Sequence, residues 1–210
     1  MDFESIMEEW QLSVDEFEEE PKRSLRQKAN NAKILRCKTL ICILENPRNL
    51  QNVGTVIRNI DTLGIGKLYI VDGFKLLPND WESIRKMKEL KHVSSTANKW
   101  AFVKRFDTTK ECFEHLKENN FTSICTSPHI KGQNNVELYQ GDFTQSHLAV
   151  WFGNESHGIS TEVIDNCAQC VQIEMSGIIE SLNLACSTGI VLWHIAQKRR
   201  EYYPLSVSLN

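Results

Sequence analysis

Apolar residues Phe3, Ile6, Met7, Trp10, Val14 and Phe17 recur at three- and four-residue steps, which predicts one face of a helix ended by Pro21. Residues 22–38 then predict a basic helical connector. From residue 39 the pattern changes to short apolar runs at 39–44, 68–71, 100–103, 121–125, 148–152 and 171–173, which predict buried strands. Helix-like stretches at 52–63, 81–91, 108–118, 161–167 and 182–199 lie between most of them. Strands alternating with helices predict an α/β fold, a mainly parallel sheet with helices on both faces. The chain divides into a helical extension over 1–38, a main domain over 39–200 and a tail over 201–210. In such sheets ligands bind beyond the carboxyl ends of the strands, so the loops after the runs are where chemistry is sought.

Composition fits one α/β domain with a short appendage: 210 residues, 41% hydrophobic and 24% charged. The formal net charge of -3 argues at first against an anionic partner. Nine acidic side chains fall in residues 1–20, however, with no basic ones, so residues 21–210 carry 24 basic against 18 acidic groups, a net of +6. The segment 21–38 alone holds seven basic residues and no acidic one. The acidic face of the first helix is read either as a solvated surface or as a segment that docks on a partner or competes for a basic surface. No apolar run approaches the ~20 residues of a membrane helix. The acidic N-terminus is unlike a secretory signal, which predicts a cytoplasmic protein without a membrane partner. The seven cysteines are then read as reduced thiols.

Three loops carry candidate chemistry. The first, 45–54, holds Asn49 and Asn52 and opens a helix containing Arg58. A helix N-terminus favours anions and Arg58 lies under two turns from Asn52; an Asn cap with a surface Arg is the alternative. The second, Gly153-Asn154-Glu155-Ser156-His157-Gly158-Ile159-Ser160, has glycines where backbone can approach a ligand closely, or is a plain turn before a helix capped by Ser160. The third runs from Met175 to Asn183. No G-x-G-x-x-G, P-loop or nucleophile elbow is present. Cys167-Ala168-Gln169-Cys170 has no second pair at zinc spacing and is read as two buried thiols, so no metal is expected.

In this order, the segments Asn49…Asn52-x-Gly54…Arg58, Gly153-Asn154-Glu155-x-x-Gly158-Ile159-Ser160 and Ile173-x-Met175-x-Gly177…Glu180-Ser181-Leu182-Asn183 resemble the three motifs of the SpoU–TrmH branch of the SPOUT RNA 2′-O-methyltransferases. The resemblance runs from about residue 39 to the C-terminus. Ser94-Ser95-x-Ala97-x-Lys99-Trp100, Cys125-Thr126-Ser127 and the basic stretch 196–200 further resemble the TrmH subfamily, which methylates guanosine 18 of the tRNA D-loop. Glu174, in place of a usual Pro, and His194, in place of a common Glu, depart from the pattern.

The resemblance implies a C-terminal trefoil knot, a homodimer, a tRNA substrate, and S-adenosylmethionine as methyl donor. It implies contacts to that donor from Thr126, Gly153, Ile173, Met175 and Leu182. Arg58 would be the catalytic residue, with Asn52, Glu155, Ser181 and Asn183 shaping the site. A ribose hydroxyl loses its proton as it attacks a methyl group, so a base or an anion stabiliser is required. An arginine, normally protonated, serves as a base only if perturbed and otherwise acts by charge and position. RNA contact is expected from 22–38 and from Lys198, Arg199 and Arg200. The alternatives are an rRNA or other-position tRNA 2′-O-methyltransferase, or a catalytically silent knotted RNA-binding protein.

Overall fold

The computed structural model describes residues 35–95, 97–129 and 134–203, together with Gln27 and Ala32. The predicted helix over 1–20 and most of the connector over 22–38 lie outside the described residues. The described compact unit begins at Leu35.

Its elements, in chain order, are β1 (Cys37–Glu45), α1 (Leu50–Leu63), β2 (Ile65–Val71), α2 (Trp81–Lys86), α3 (Lys88–Val93), β3 (Val103–Phe106), α4 (Thr109–Glu118), β4 (Thr122–Thr126), β5 (Asn135–Glu137), β6 (Leu148–Phe152), α5 (Thr161–Asn166), β7 (Cys170–Gln172) and α6 (Leu184–Tyr202). The strands form one seven-stranded sheet in the order β3-β2-β1-β6-β4-β7-β5, and every pairing is parallel.

Continuous apolar strands follow from this layering. Successive side chains of a strand point to opposite faces, and both faces of this sheet are covered. In β1, Leu40, Cys42 and Leu44 join one core with α1, α3 and α6, while Ile41 and Ile43 join a second core with α4 and α5. β6 alternates likewise, Leu148, Val150 and Phe152 against Ala149 and Trp151. α1 starts where Asn49 Oδ1 accepts the Gln51 N–H (2.8 Å) and stops at Gly64, whose φ of 70° suits a residue without Cβ.

Several elements differ from the pattern-based expectation. The strand expected at 100–103 lies at Val103–Phe106, and Trp100 and Phe102 are exposed. β3 is an edge strand, so an apolar run does not fix its position; Val103 and Phe106 are buried while Arg105 lies between them. The single helix expected over 81–91 is two, broken at Met87, whose ψ of 122° is extended. The helix expected from 182 starts at Leu184 because Asn183 is its cap, and it continues to Tyr202. β5, Asn135-Val136-Glu137, is too short and too polar for a period-two signal; it pairs with β7 at the sheet edge.

Beyond β2, a buried ion pair fixes the connecting loop. Asp72 Oδ2 accepts Arg105 Nε–H (3.1 Å) while the Asp72 side chain is fully buried. The Leu76 and Leu77 N–H groups donate to its two oxygens (2.8 Å each). Removing one partner of a buried pair leaves the other desolvated and unmatched. Asp72→Ala is expected to lower stability by about 3 kcal/mol, the low end of that penalty because Asp107 still meets Arg105 at 2.7 Å. Urea denaturation measures it, and a change below about 1 kcal/mol refutes the assignment.

Candidate active site

The three motif loops meet at the carboxyl ends of β1, β4, β6 and β7. The loop after β6 is closed by two backbone hydrogen bonds, Asn154 N–H to Gly158 O (3.1 Å) and Gly158 N–H to Asn154 O (3.0 Å). Inside it, Asn154 Oδ1 accepts the N–H groups of Ser156 (2.9 Å) and His157 (2.8 Å). Gly158 has a φ of 67°. A Cβ on Gly153 would overlap the Gly158 backbone and the Ile159 nitrogen, so this glycine is required by close packing of the loop on itself.

A polar chain ties the loops together. Glu155 Oε1 accepts from Asn52 Nδ2 (2.7 Å) and Oε2 accepts from the Arg48 N–H (3.0 Å). Asn52 Oδ1 in turn accepts from Asn183 Nδ2 (3.1 Å). Asn183 Oδ1 then accepts the Ala185 (2.9 Å) and Cys186 (3.4 Å) N–H groups, capping α6. Asn52 is buried, so satisfying both ends of its amide fixes its orientation. Asn52 and Asn183, 131 residues apart, together with the Arg48 N–H thereby hold the exposed Glu155 carboxylate at a defined place.

Beside this chain lies a cavity of about 290 Å³. Its wall includes Thr126, Gly153, Ile173, Met175 and Leu182, as well as Glu155 and Ser181. Thr126 is fixed by donating from Oγ1 to Trp151 O (3.0 Å). The wall pairs apolar side chains with the backbone of the 153–159 loop, the usual mixture for a small-molecule pocket. Asn52 and Asn183 reach the cavity only through Glu155 and the α6 cap. Arg58 is exposed on α1 and is not part of the cavity wall. The fold of one chain therefore does not bring Arg58 together with the other site residues around this cavity.

Sequence reading missed further contributors. Ser127, Pro128 and His129, on the loop after β4, also line the cavity. Glu45 is buried and accepts from Ser160 N–H (2.9 Å) and Ser160 Oγ (2.6 Å), which anchors the end of the second loop to β1. An acidic residue closing an apolar strand was the available signal for it.

Arg199, expected on an RNA-facing surface, is instead buried. Its guanidinium donates to Phe143 O (2.8 Å), Gln145 O (2.6 Å), Ser146 O (3.2 Å) and Thr39 Oγ1 (2.9 Å), so it braces the loop before β6. Desolvation of the charge is offset by these acceptors, which leaves Lys198 and Arg200 as the exposed cations of that stretch. His194 packs edge-on to Phe143, and burial holds its imidazole below the usual pKa. Glu174 is exposed. Cys170 is buried and Cys167 half-buried; Cys125, beside them, has its thiol pushed up to about 12, first by a hydrogen bond with Cys167. Among the described residues no cluster of His, Cys, Asp or Glu is arranged to hold a metal ion, and no helix is long and apolar enough to cross a membrane.

A family model described as the SpoU rRNA methylase family matches residues 39–193, from β1 into α6. The chain belongs to that family. The matched SpoU segment contains all three motif loops and the whole cavity wall. One similar SpoU relative is the tRNA (guanosine(18)-2′-O)-methyltransferase of Aquifex aeolicus, 27% identical over 166 residues, which are 79% of this chain and 72% of that one. The crystal structure of the A. aeolicus TrmH/SpoU tRNA modifying enzyme is similar with a TM-score of 0.68 and 25% identity, covering 86% of each chain. An AdoMet-bound rRNA methyltransferase from Sinorhizobium meliloti has the same SpoU fold, with a TM-score of 0.64 and 24% identity over 76% of this chain and 56% of that one.

Proposed function

We propose that this protein is an S-adenosylmethionine-dependent RNA 2′-O-methyltransferase that modifies guanosine 18 of tRNA. The observation that carries the reading is the hydrogen-bonded chain Asn183–Asn52–Glu155 at the edge of a small-molecule cavity, built from all three SpoU motifs. The guanosine-18 target is supported by the A. aeolicus relative, and the methyl donor by the AdoMet-bound neighbour.

The cavity suits that donor. Its volume is at the lower end of ligand pockets, about 300–1,000 Å³, and Ile173, Met175 and Leu182 offer apolar contact beside the polar Thr126 and the Gly153 backbone. Bound there, S-adenosylmethionine supplies an electrophilic methyl group on a sulfonium sulfur. Glu155, both of whose oxygens are already engaged, is a fixed negative wall rather than a mobile base; it positions the ribose. A ribose 2′-hydroxyl that takes up such a methyl group would have to give up its proton, and Glu155, with both oxygens engaged, would hold that hydroxyl in place rather than accept the proton. The Arg58 guanidinium stabilises the negative charge that grows on the 2′-oxygen.

Two further features belong to the proposal. β6 is inserted between β1 and β4, and β7 between β4 and β5, before the chain returns to pack α6 on α1, where Asn59 Nδ2 donates to Ala185 O (2.9 Å). That order supports a trefoil knot over the last third of the chain. The outer face of α6 exposes Ile190 and Trp193, one turn apart, which supports a homodimer formed across α6. Because α1 packs on α6, such a dimer sets Arg58 beside the interface, where it completes the partner subunit's site.

Incubation with methyl-labelled S-adenosylmethionine and unmodified tRNA and rRNA, followed by mapping of the label, tests the function. Label on the ribose of guanosine 18 is the expected result. Label at another ribose moves the protein to the rRNA or other-tRNA alternative. No label, together with no calorimetric binding of S-adenosylmethionine, makes it a silent RNA-binding protein.

A further inference from the structure

Phe74 is the feature that the site described above leaves unused. It sits on the loop after β2, and 57% of its surface is exposed. An exposed phenylalanine is ordinary on a mobile loop, but this loop is fixed from beneath. The fully buried Asp72 accepts the Leu76 and Leu77 N–H groups through its carboxylate, and its backbone carbonyl accepts from Lys75 N–H (3.1 Å) and Arg105 Nη2 (3.0 Å). From the neighbouring loop, Asn46 Oδ1 accepts the Gly73 N–H (2.8 Å). Asn46 and Lys75 both hold positive φ, 49° and 55°, conformations that non-glycine residues rarely adopt without such support. A buried ion pair and five hydrogen bonds therefore hold an apolar ring in water.

The ring is also tied to the site. The Arg48 guanidinium carbon lies 4.9 Å from the Phe74 ring centroid, and the Arg48 backbone N–H donates to Glu155 Oε2. Phenyl, guanidinium and the site carboxylate thus form one contiguous path. A rigid aromatic ring with a planar cation beside it is the combination that holds an unpaired nucleobase and its phosphate.

We infer that Phe74 and Arg48 form a stacking platform for an unpaired base of the RNA next to the ribose that is methylated. The inference rests on the methyltransferase reading, and it commits to RNA rather than to protein as the occupant. Stacking on a ring reads no particular base, so the platform selects an unstacked, looped RNA segment and not a sequence.

The test measures the affinity of the full chain for an unmodified tRNA transcript at several salt concentrations. Phe74→Ala is expected to raise Kd about 5- to 150-fold, the value of one base–aromatic stack, at every salt concentration. The slope of log Kd against log salt stays at the wild-type value, because no phosphate contact is lost. Phe74→Trp keeps binding within about threefold, since a larger ring stacks as well. Calorimetric affinity for S-adenosylmethionine and the sedimentation coefficient remain those of the wild type. Wild-type Kd for Phe74→Ala overturns the platform and leaves the methyltransferase reading intact. A shift in sedimentation overturns it too, by assigning the ring to contact with a second copy. If the wild-type chain binds no RNA, both readings fail together.

Discussion

Arg58→Ala is expected to lower kcat for RNA methylation by about 100- to 1,000-fold, the usual effect of removing one preorganised group that stabilises an oxyanion. Affinity for S-adenosylmethionine stays at the wild-type value, because Arg58 is exposed on α1 and contributes nothing to the cavity wall. Near-normal turnover would refute the assignment. Mixing subunits then asks where the residue acts. A pair of Arg58→Ala and Glu155→Gln subunits contains one intact site only if Arg58 works in the partner's cavity. In the proposed homodimer, randomly reassorted chains should then recover about a quarter of wild-type activity, since half of the pairs would be mixed and each would have one working site. Absence of recovery means that Arg58 acts within its own chain.

The other large effect is expected at Gly153. Alanine there forces a Cβ into the Gly158 carbonyl group and the Ile159 nitrogen, all backbone, so no side chain can turn aside. The 153–158 loop must shift, taking Glu155 and one wall of the cavity with it. Overpacking of this kind costs about 1–3 kcal/mol, which at the cavity corresponds to a loss of about 5- to 150-fold in S-adenosylmethionine affinity. Gly177→Ala is the matched control: a Cβ there would meet nothing nearer than Ile179 N at 4.0 Å. Equal binding by the two variants in calorimetry would refute the close-packing argument.

Both residues stand on motifs that the sequence displays, yet their roles separate in the fold. Gly153 stands on a loop that follows an apolar run, where chemistry in a parallel sheet gathers, while Thr126, Ile173, Met175 and Leu182 came into view only through the resemblance to the SpoU motifs; all five line the cavity. The link between Asn52, Glu155 and Asn183 was not legible. It depends on which strand neighbours which, and β6 lies beside β1 although four strands intervene in the chain. Arg199 shows the opposite failure. In the sequence it is one cation in a basic run, and only the three carbonyls and one hydroxyl around it reveal a buried brace.

The sequence by itself determined the layered α/β class, most of the elements, the three loops and the SpoU membership, because these depend on local periodicity and on residues at fixed spacing. Some elements escaped it: β5 was missed because its short polar strand carries a weak apolar signal, β3 was displaced because the exposed Trp100 and Phe102 imitate a buried run, and the helix over 81–91 broke at Met87. Only the tertiary structure decided that Asn183, Asn52 and Glu155 form one hydrogen-bonded chain, that Arg58 stands apart from the cavity, and that Phe74 is held rigid in water by Asp72. Such facts concern distances between residues far apart along the chain. Strand order and side-chain packing set those distances, and a one-dimensional pattern of polar and apolar positions does not encode either.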